Sequence, residues 1–339
     1  GVWAEGPHMY KRNGWYYLMI AEGGTSYNHA MMIAVSDSVN GSFIANWRNP
    51  ILTTRHLSYD NWVHSTGHAD LIELNDGRWY MVALGIRGDE ERGSNMGRET
   101  HLVPVQWEKE PFEWKDIKYE WPVVAPQTGK VERFNPVPFN NTSQKRNASF
   151  VDNFDYTKLN LAWNFRRVPT KNMYSLIVNK GNLRLYTNPN VIKERGRTSL
   201  IGFRQTESDF EYQAKMNFHP KSDNSEAGIS IFQKDGNYFT LTVVKENNKY
   251  ILQLKLAEPN SKPRILKKQV ISNYNKEITF KVKSENHNYS FYYSMNGVEF
   301  ILLEETKANH ILSKGYTGAY FGVYATSNGE NSIDYADFD

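Results

Sequence analysis

The sequence contains no cysteine, which excludes disulfides, thiolate metal sites and a cysteine nucleophile and fits either a reducing or an oxidising compartment. No apolar run approaches the length of a membrane span, and the first residues lack the basic and apolar regions of a secretory signal. Nor is there an excess of charge of one sign. The 40 basic and 37 acidic side chains are mixed along the chain and leave a formal net charge of +3. Without a basic stripe to neutralise phosphates, nucleic acid is not an expected partner, and neither is a membrane. The G-x-S-x-G elbow, H-E-x-x-H, the G-x-x-x-x-G-K-[ST] phosphate loop and the dinucleotide fingerprint are all missing. Long helical periodicity is scarce as well.

What is present is short runs of period two, broken by Asn-Gly, Asp-Gly and Gly-rich turns, so the chain reads as all-β. Aromatic residues make up 14% of it; such rings fill and edge sheets, and they also suit sugar faces. An internal repeat stands out near the start. Glu5 lies nine residues before Gly14, and His68 lies nine before Gly77, an offset of 63 residues for both. Similar strands follow each turn, "WYYLMIAEG" (15–23) and "RWYMVALG" (78–85), then "HAMMIAVS" (29–36) and "THLVPVQW" (100–107). A strand, a tight primed turn and further strands at a fixed period are the signature of propeller blades, which places Glu5 and His68 at equivalent inward positions.

Residues 122–149 break into proline, asparagine and charge, and the domain boundary is placed there, dividing 1–145 from 146–339. Asn141-Thr142-Ser143 in this stretch fits the glycosylation pattern. Beyond it, "FEYQAKMNF" (210–218), "KYILQLKLA" (249–257) and "NYSFYYSM" (288–295) alternate apolar with polar residues. With Asp235-Gly236 and Asn296-Gly297 as turns, they predict an antiparallel two-sheet sandwich with one dry and one wet face per strand. Asp152 and Asp337, near its two ends, are expected either on a solvated acidic edge or at a shared ion site.

Glycoside hydrolysis needs a carboxylic acid for the leaving oxygen and a carboxylate across the bond. Glu5, ahead of Gly6-Pro7, fits the first role and fits equally a strand-end charge. His68 and Asp70 stand two apart on a presumed strand and would share a face. Arg98 offers a permanent forked donor for vicinal hydroxyls, with pairing to Glu99 as the rival reading. Glu22 and His29 read as supporting polar groups.

The segments "AEGPHMYKRNGWYYLMIAEGGTSYNHAMMIAVSDSVNG", "STGHADLIELNDGRWYMVALG" and "MGRETHLVPVQW" together resemble glycoside hydrolase family 43, in its β-xylosidase and α-L-arabinofuranosidase branch. The closing "GYTGAYFGVYATSN" and "DYADFD" are similar to the end of that branch's C-terminal sandwich. The resemblance implies part of a five-bladed β-propeller followed by a concanavalin-like antiparallel β-sandwich. It implies inverting, exo-acting cleavage of xylo- or arabino-oligosaccharides, with Glu5 as general acid. His68, Arg98 and Thr25 would line the pocket, Tyr316 would close its mouth from a sandwich loop, and His68 could ligate a calcium ion near the propeller axis.

In this family the base aspartate and a second aspartate that tunes the acid precede the EGPH motif, whereas residues 1 to about 125 hold about two repeats and a propeller needs at least four blades. The expectations are therefore a chain that lacks the general base, is inactive alone, and pairs its exposed blade with a missing N-terminal propeller segment or another chain copy. A non-catalytic carbohydrate-binding protein that uses the sandwich is the alternative. A bacterial periplasmic or secreted location is preferred to a cytoplasmic one.

Overall fold

The computed structural model describes residues 2–88, 93–108, 119–136, 138–139, 149–313 and 315–339. The boundary expected at 145/146 and the Asn141 sequon lie outside them. The chain divides into two compact units, Gly1–Lys145 with Lys314–Tyr316, and Arg146–Ser313 with Thr317–Asp339.

The first unit opens with β1 (Glu5–Arg12), β2 (Trp15–Glu22), β3 (Ala30–Ser36), β4 (Ile44–Ala45) and β5 (Leu52–Thr53). These form one antiparallel sheet in the order β1-β2-β3-β4, with β5 also on β3. A second sheet follows as a meander of β6 (Val63–Glu73), β7 (Trp79–Arg87), β8 (Arg98–Trp107) and β9 (Pro122–Val124). Each is a blade-like sheet. Tyr17, Met19, Ala21, Met31, Ile33 and Val35 of the first sheet join Leu71, Met81, Ala83, Val103 and Val105 of the second in one buried cluster. Full burial of such side chains stabilises by about 1.5–3 kcal/mol each. On the other face, Met9 stands opposite Leu18 and Ile20 opposite Met32. All four are at least partly exposed.

The two hairpins that carry the repeat close differently. Asn13 and Gly14 both have positive φ, 49° and 85°, and Arg12 pairs with Trp15, as a two-residue primed turn requires. In the second hairpin Leu74 N–H donates to Arg78 C=O at 2.8 Å, and of the loop residues between them only Gly77 is left-handed. The expected second primed turn is therefore a three-residue loop with glycine at its left-handed position. Bulges fall at matching places, between Glu5 and His8 in β1 and between Gly67 and Asp70 in β6. The repeat thus extends to the irregularities that aim the side chains.

The second unit runs β10 (Asn164–Phe165), β11 (Tyr174–Ser175), β12 (Leu183–Tyr186), β13 (Ser199–Arg204), β14 (Phe210–Phe218), β15 (Glu226–Lys234) and β16 (Asn237–Glu246). It continues through β17 (Lys249–Ala257), β18 (Arg264–Val270), β19 (Glu277–Glu285), β20 (Asn288–Ser294), β21 (Ile301–Lys307), β22 (Tyr320–Thr326) and β23 (Tyr335–Phe338). Two seven-stranded antiparallel sheets result, β10-β13-β22-β15-β16-β17-β18 and β11-β12-β23-β14-β19-β20-β21. Strand β14 follows its alternation: Tyr212, Ala214, Met216 and Phe218 are buried between exposed neighbours.

Strand β17 departs from the one-dry-face expectation, because Gln253 is buried as well as Leu252 and Leu254. On this outer side Leu200, Tyr238, Ala257 and Tyr324 pack with Ile192 in a separate apolar cluster. Arg166 holds the segment that carries Ile192, donating to the carbonyls of Glu194 and Gly196 while pairing with Asp235 at 2.6 Å. The expectations for the two terminal aspartates also fail. Asp337 is buried and paired with Arg184, and Asp152 accepts hydrogen bonds from Phe154 N–H and Trp163 Nε1–H.

Candidate active site

The site is built where the bulges interrupt β1 and β6. Gly6 has φ 56° and His68 has φ 48°, both left-handed, a conformation that glycine adopts freely and a side-chain-bearing residue adopts at a cost. The bulge sets His68 Nδ1 3.6 Å from Glu5 Oε1, across from one sheet to the other. Both side chains are exposed, 48% for Glu5 and 40% for His68. Gly6 lets them approach: a Cβ there would lie 3.0 Å from His68 Nε2.

A third group, His29, expected only as a supporting polar residue, completes the cluster. His29, wholly buried, directs Nδ1 at the Ser65 carbonyl at 2.9 Å. Because a carbonyl only accepts, Nδ1 carries the proton and Nε2 presents its lone pair. Burial holds the imidazole below its ordinary pKa and so keeps it neutral. Nε2 has no hydrogen-bond partner among the described residues. Ligand atoms of Glu5, His29 and His68 all lie within 4.8 Å of one another.

Arg98, at the start of β8, donates from Nη1 to Thr25 Oγ1 at 3.1 Å. Its guanidinium lies 4.4 Å from the centre of the Tyr316 ring, within the same unit. The rival pairing does not form, since both Glu99 oxygens accept from Arg87, at 2.8 and 3.1 Å. The Arg98 guanidinium adds positive charge that, after burial, further disfavours protonation of His29. Asp70 goes elsewhere. His68 and Asp70 are both accessible between buried Ala69 and Leu71, but the Asp70 carboxylate pairs with His8 Nδ1 at 2.8 Å and accepts from the Tyr10 hydroxyl at 3.4 Å. Burial, with Asp70 beside it, pushes that phenol up to about 12. Glu22 pairs with Arg55 at 3.6 Å.

The cluster offers one carboxylate and two imidazoles. Calcium takes six to eight oxygens, so this donor set does not fit it.

Gly67 is the close approach on which the buried imidazole depends. A Cβ there would stand 2.7 Å from three atoms of the His29 ring. Gly67→Ala should therefore destabilise the first unit by about 1–3 kcal/mol through overpacking, read as a lower urea midpoint at unchanged slope. A midpoint equal to that of the parent would show that the ring moves aside without cost.

Two blade-like sheets, the first carrying the Glu5 carboxyl and the second the His68 imidazole and the Arg98 guanidinium, precede a two-sheet sandwich in the chain. The comparisons with known proteins then give the family. Residues 1–112 match the glycosyl hydrolases family 43, and residues 151–339 match the β-xylosidase C-terminal concanavalin A-like domain. A xylosidase/arabinosidase of Butyrivibrio fibrisolvens is 33% identical over 99% of this chain and 63% of its own length. A non-reducing end α-L-arabinofuranosidase of Bacteroides ovatus is 32% identical over 99% and 61%. Among solved structures, a Bacteroides ovatus GH43B protein of a xyloglucan utilisation locus superposes with a TM-score of 0.87 at 31% identity, covering 100% of this chain and 65% of that one. The chain belongs to glycoside hydrolase family 43. It spans a little over three-fifths of the length of these curated relatives.

Proposed function

We propose that this chain serves hydrolysis of xylosyl or arabinofuranosyl groups at the non-reducing ends of hemicellulose, with Glu5 as the general acid. The observation that carries the reading is Glu5 at a strand-end bulge, 3.6 Å from His68 of the next sheet and in reach of solvent. A carboxylic acid there would protonate the leaving oxygen as the glycosidic bond breaks. In an inverting reaction a second carboxylate, about 6.5–9.5 Å away, activates water on the opposite face of the sugar. Glu5 is the one carboxylate in the Glu5–His29–His68 cluster. Arg98, steadied by Thr25 and by the face of Tyr316, would donate its forked N–H groups to sugar hydroxyls. The substrate class follows the names of the relatives, a xylosidase/arabinosidase and a non-reducing end α-L-arabinofuranosidase.

Sugar stacking on the sandwich is the alternative reading: Tyr238 and Tyr324 are buried against Ile192, whereas Phe232 and Tyr320 are partly exposed beside them and Tyr335 is exposed. The test follows a protein carrying this chain by proton NMR on xylo- and arabino-oligosaccharides. The expected first product is a monosaccharide of inverted anomeric configuration. Internal cleavage, or retention of configuration, would refute the assignment.

A further inference from the structure

The outer face of the first sandwich sheet holds a cavity of about 340 Å³, bordered by residues of the second unit alone. Its floor is bare peptide. Gly202 of β13 and Gly322 of β22 stand directly opposite each other, and a Cβ on either would collide with a carbonyl of the facing strand, that of Phe321 or of Ile201. Phe232 and Tyr320, cross-strand neighbours and both partly exposed, supply aromatic surface beside this floor.

Two acceptors border the same space. Asp235, in the turn after β15, takes both bonds from Arg166 on Oδ1, at 2.6 and 3.1 Å, which leaves Oδ2 to accept from elsewhere. Its side chain is 38% exposed. Gln233 is only 7% exposed; its amide N–H donates to the Thr317 carbonyl at 3.2 Å, while Oε1 has no partner among the described residues. An unmet buried acceptor costs about 1–3 kcal/mol. The terminal amide torsion is soft, so a hydroxyl entering the cavity can draw Oε1 round to it. Arg166, the cation of the buried wall, spends its donors on Asp235, Thr198 and the carbonyls of Glu194 and Gly196, and offers nothing to a phosphate or carboxylate.

We propose that this cavity binds a neutral saccharide, the end or a side branch of a polysaccharide, and gives the sandwich a sugar site of its own besides the one at Glu5. Aromatic carbon covers the C–H face of a sugar ring, and side-chain oxygens around the same space accept from its hydroxyls. The volume lies at the small end of the usual ligand range, about 300–1,000 Å³, and suits a short saccharide end. That the saccharide is hemicellulosic rests on the function proposed above; the existence of the site does not.

The test titrates the 339-residue chain with xylotetraose and, separately, with cellotetraose by calorimetry, and repeats both with Tyr320→Ala, Asn164→Trp and Arg98→Ala. Asn164 is exposed at the rim, so tryptophan there fills the cavity from outside, and a urea midpoint equal to the parent's checks its fold. Saturable xylotetraose binding in the millimolar range or tighter is expected. Tyr320→Ala should weaken it about 3- to 10-fold, Asn164→Trp should abolish it, and Arg98→Ala should leave it unchanged. Binding of neither sugar, binding that survives both sandwich variants, or binding lost with Arg98→Ala would overturn the site. Binding of cellotetraose alone would uphold the site and remove its link to hemicellulose. Neither result touches the acid assignment, which is read from the anomeric form of the product.

Discussion

Glu5→Gln, placed in a protein that carries this chain and is active, is expected to slow hydrolysis of natural oligosaccharides by about 10²- to 10⁴-fold, the usual worth of general acid catalysis. The loss should depend on the leaving group. An oligosaccharide departs as an alkoxide unless it is protonated, so it feels the full deficit. A dinitrophenolate leaves without help, and its glycoside should be turned over at close to the parent rate. The amide keeps the size of the carboxyl and the 3.6 Å approach to His68, so packing does not confound the comparison. Steady-state rates on one xylo-oligosaccharide and one dinitrophenyl xyloside decide the matter. Equal losses on both substrates, or none on either, would remove Glu5 from proton transfer.

In the sandwich, Arg184→Leu should cost about 3–5 kcal/mol, the penalty for leaving a buried charge without its partner. Arg184 and Asp337 are direct cross-strand neighbours on β12 and β23, joined by two hydrogen bonds of 2.7 and 2.8 Å. Only 14% and 8% of their side-chain surfaces are exposed. Asn179 donates a third hydrogen bond to the carboxylate, and the Tyr335 ring lies 3.7 Å from the guanidinium carbon. Replacing both members, Arg184→Leu with Asp337→Leu, should recover much of the loss, because no orphan charge then remains. Denaturant unfolding of Arg184→Leu, Asp337→Leu and the double variant gives the coupling between the two sites. A single variant as stable as the parent would show that the pair is solvated in solution.

Much of the architecture was legible because it rests on local rules. Strand β14 declares itself by alternation from Phe210 to Phe218, and Asn13-Gly14 by the left-handed backbone that such a turn demands. The 63-residue offset puts Glu5 and His68 at equivalent places of the repeat. Other features depend on distant partners and leave no local trace. His29 is a single histidine ahead of β3; its burial follows from Gly67 of the next sheet, whose bare α-carbon accepts the ring. The two-residue spacing keeps Asp70 accessible like His68, but its partner, His8 of the other sheet, is not written in that spacing. The length of the second hairpin loop is not written in Asp76-Gly77, a pair that suits loops of two and of three residues alike. The outer face of β17 reads as wet until Ile192 and its neighbours, a stretch without periodicity, are seen packed nearby.

The backbone at position 68 restricts what could stand there in place of histidine. At φ 48° a β-branched side chain would collide with its own main chain, whereas asparagine, aspartate and glycine tolerate the angle. Exchange at this site is therefore confined to a few small or polar types. A library randomised at position 68 should return folded members mainly from that set, whatever chemistry is selected for.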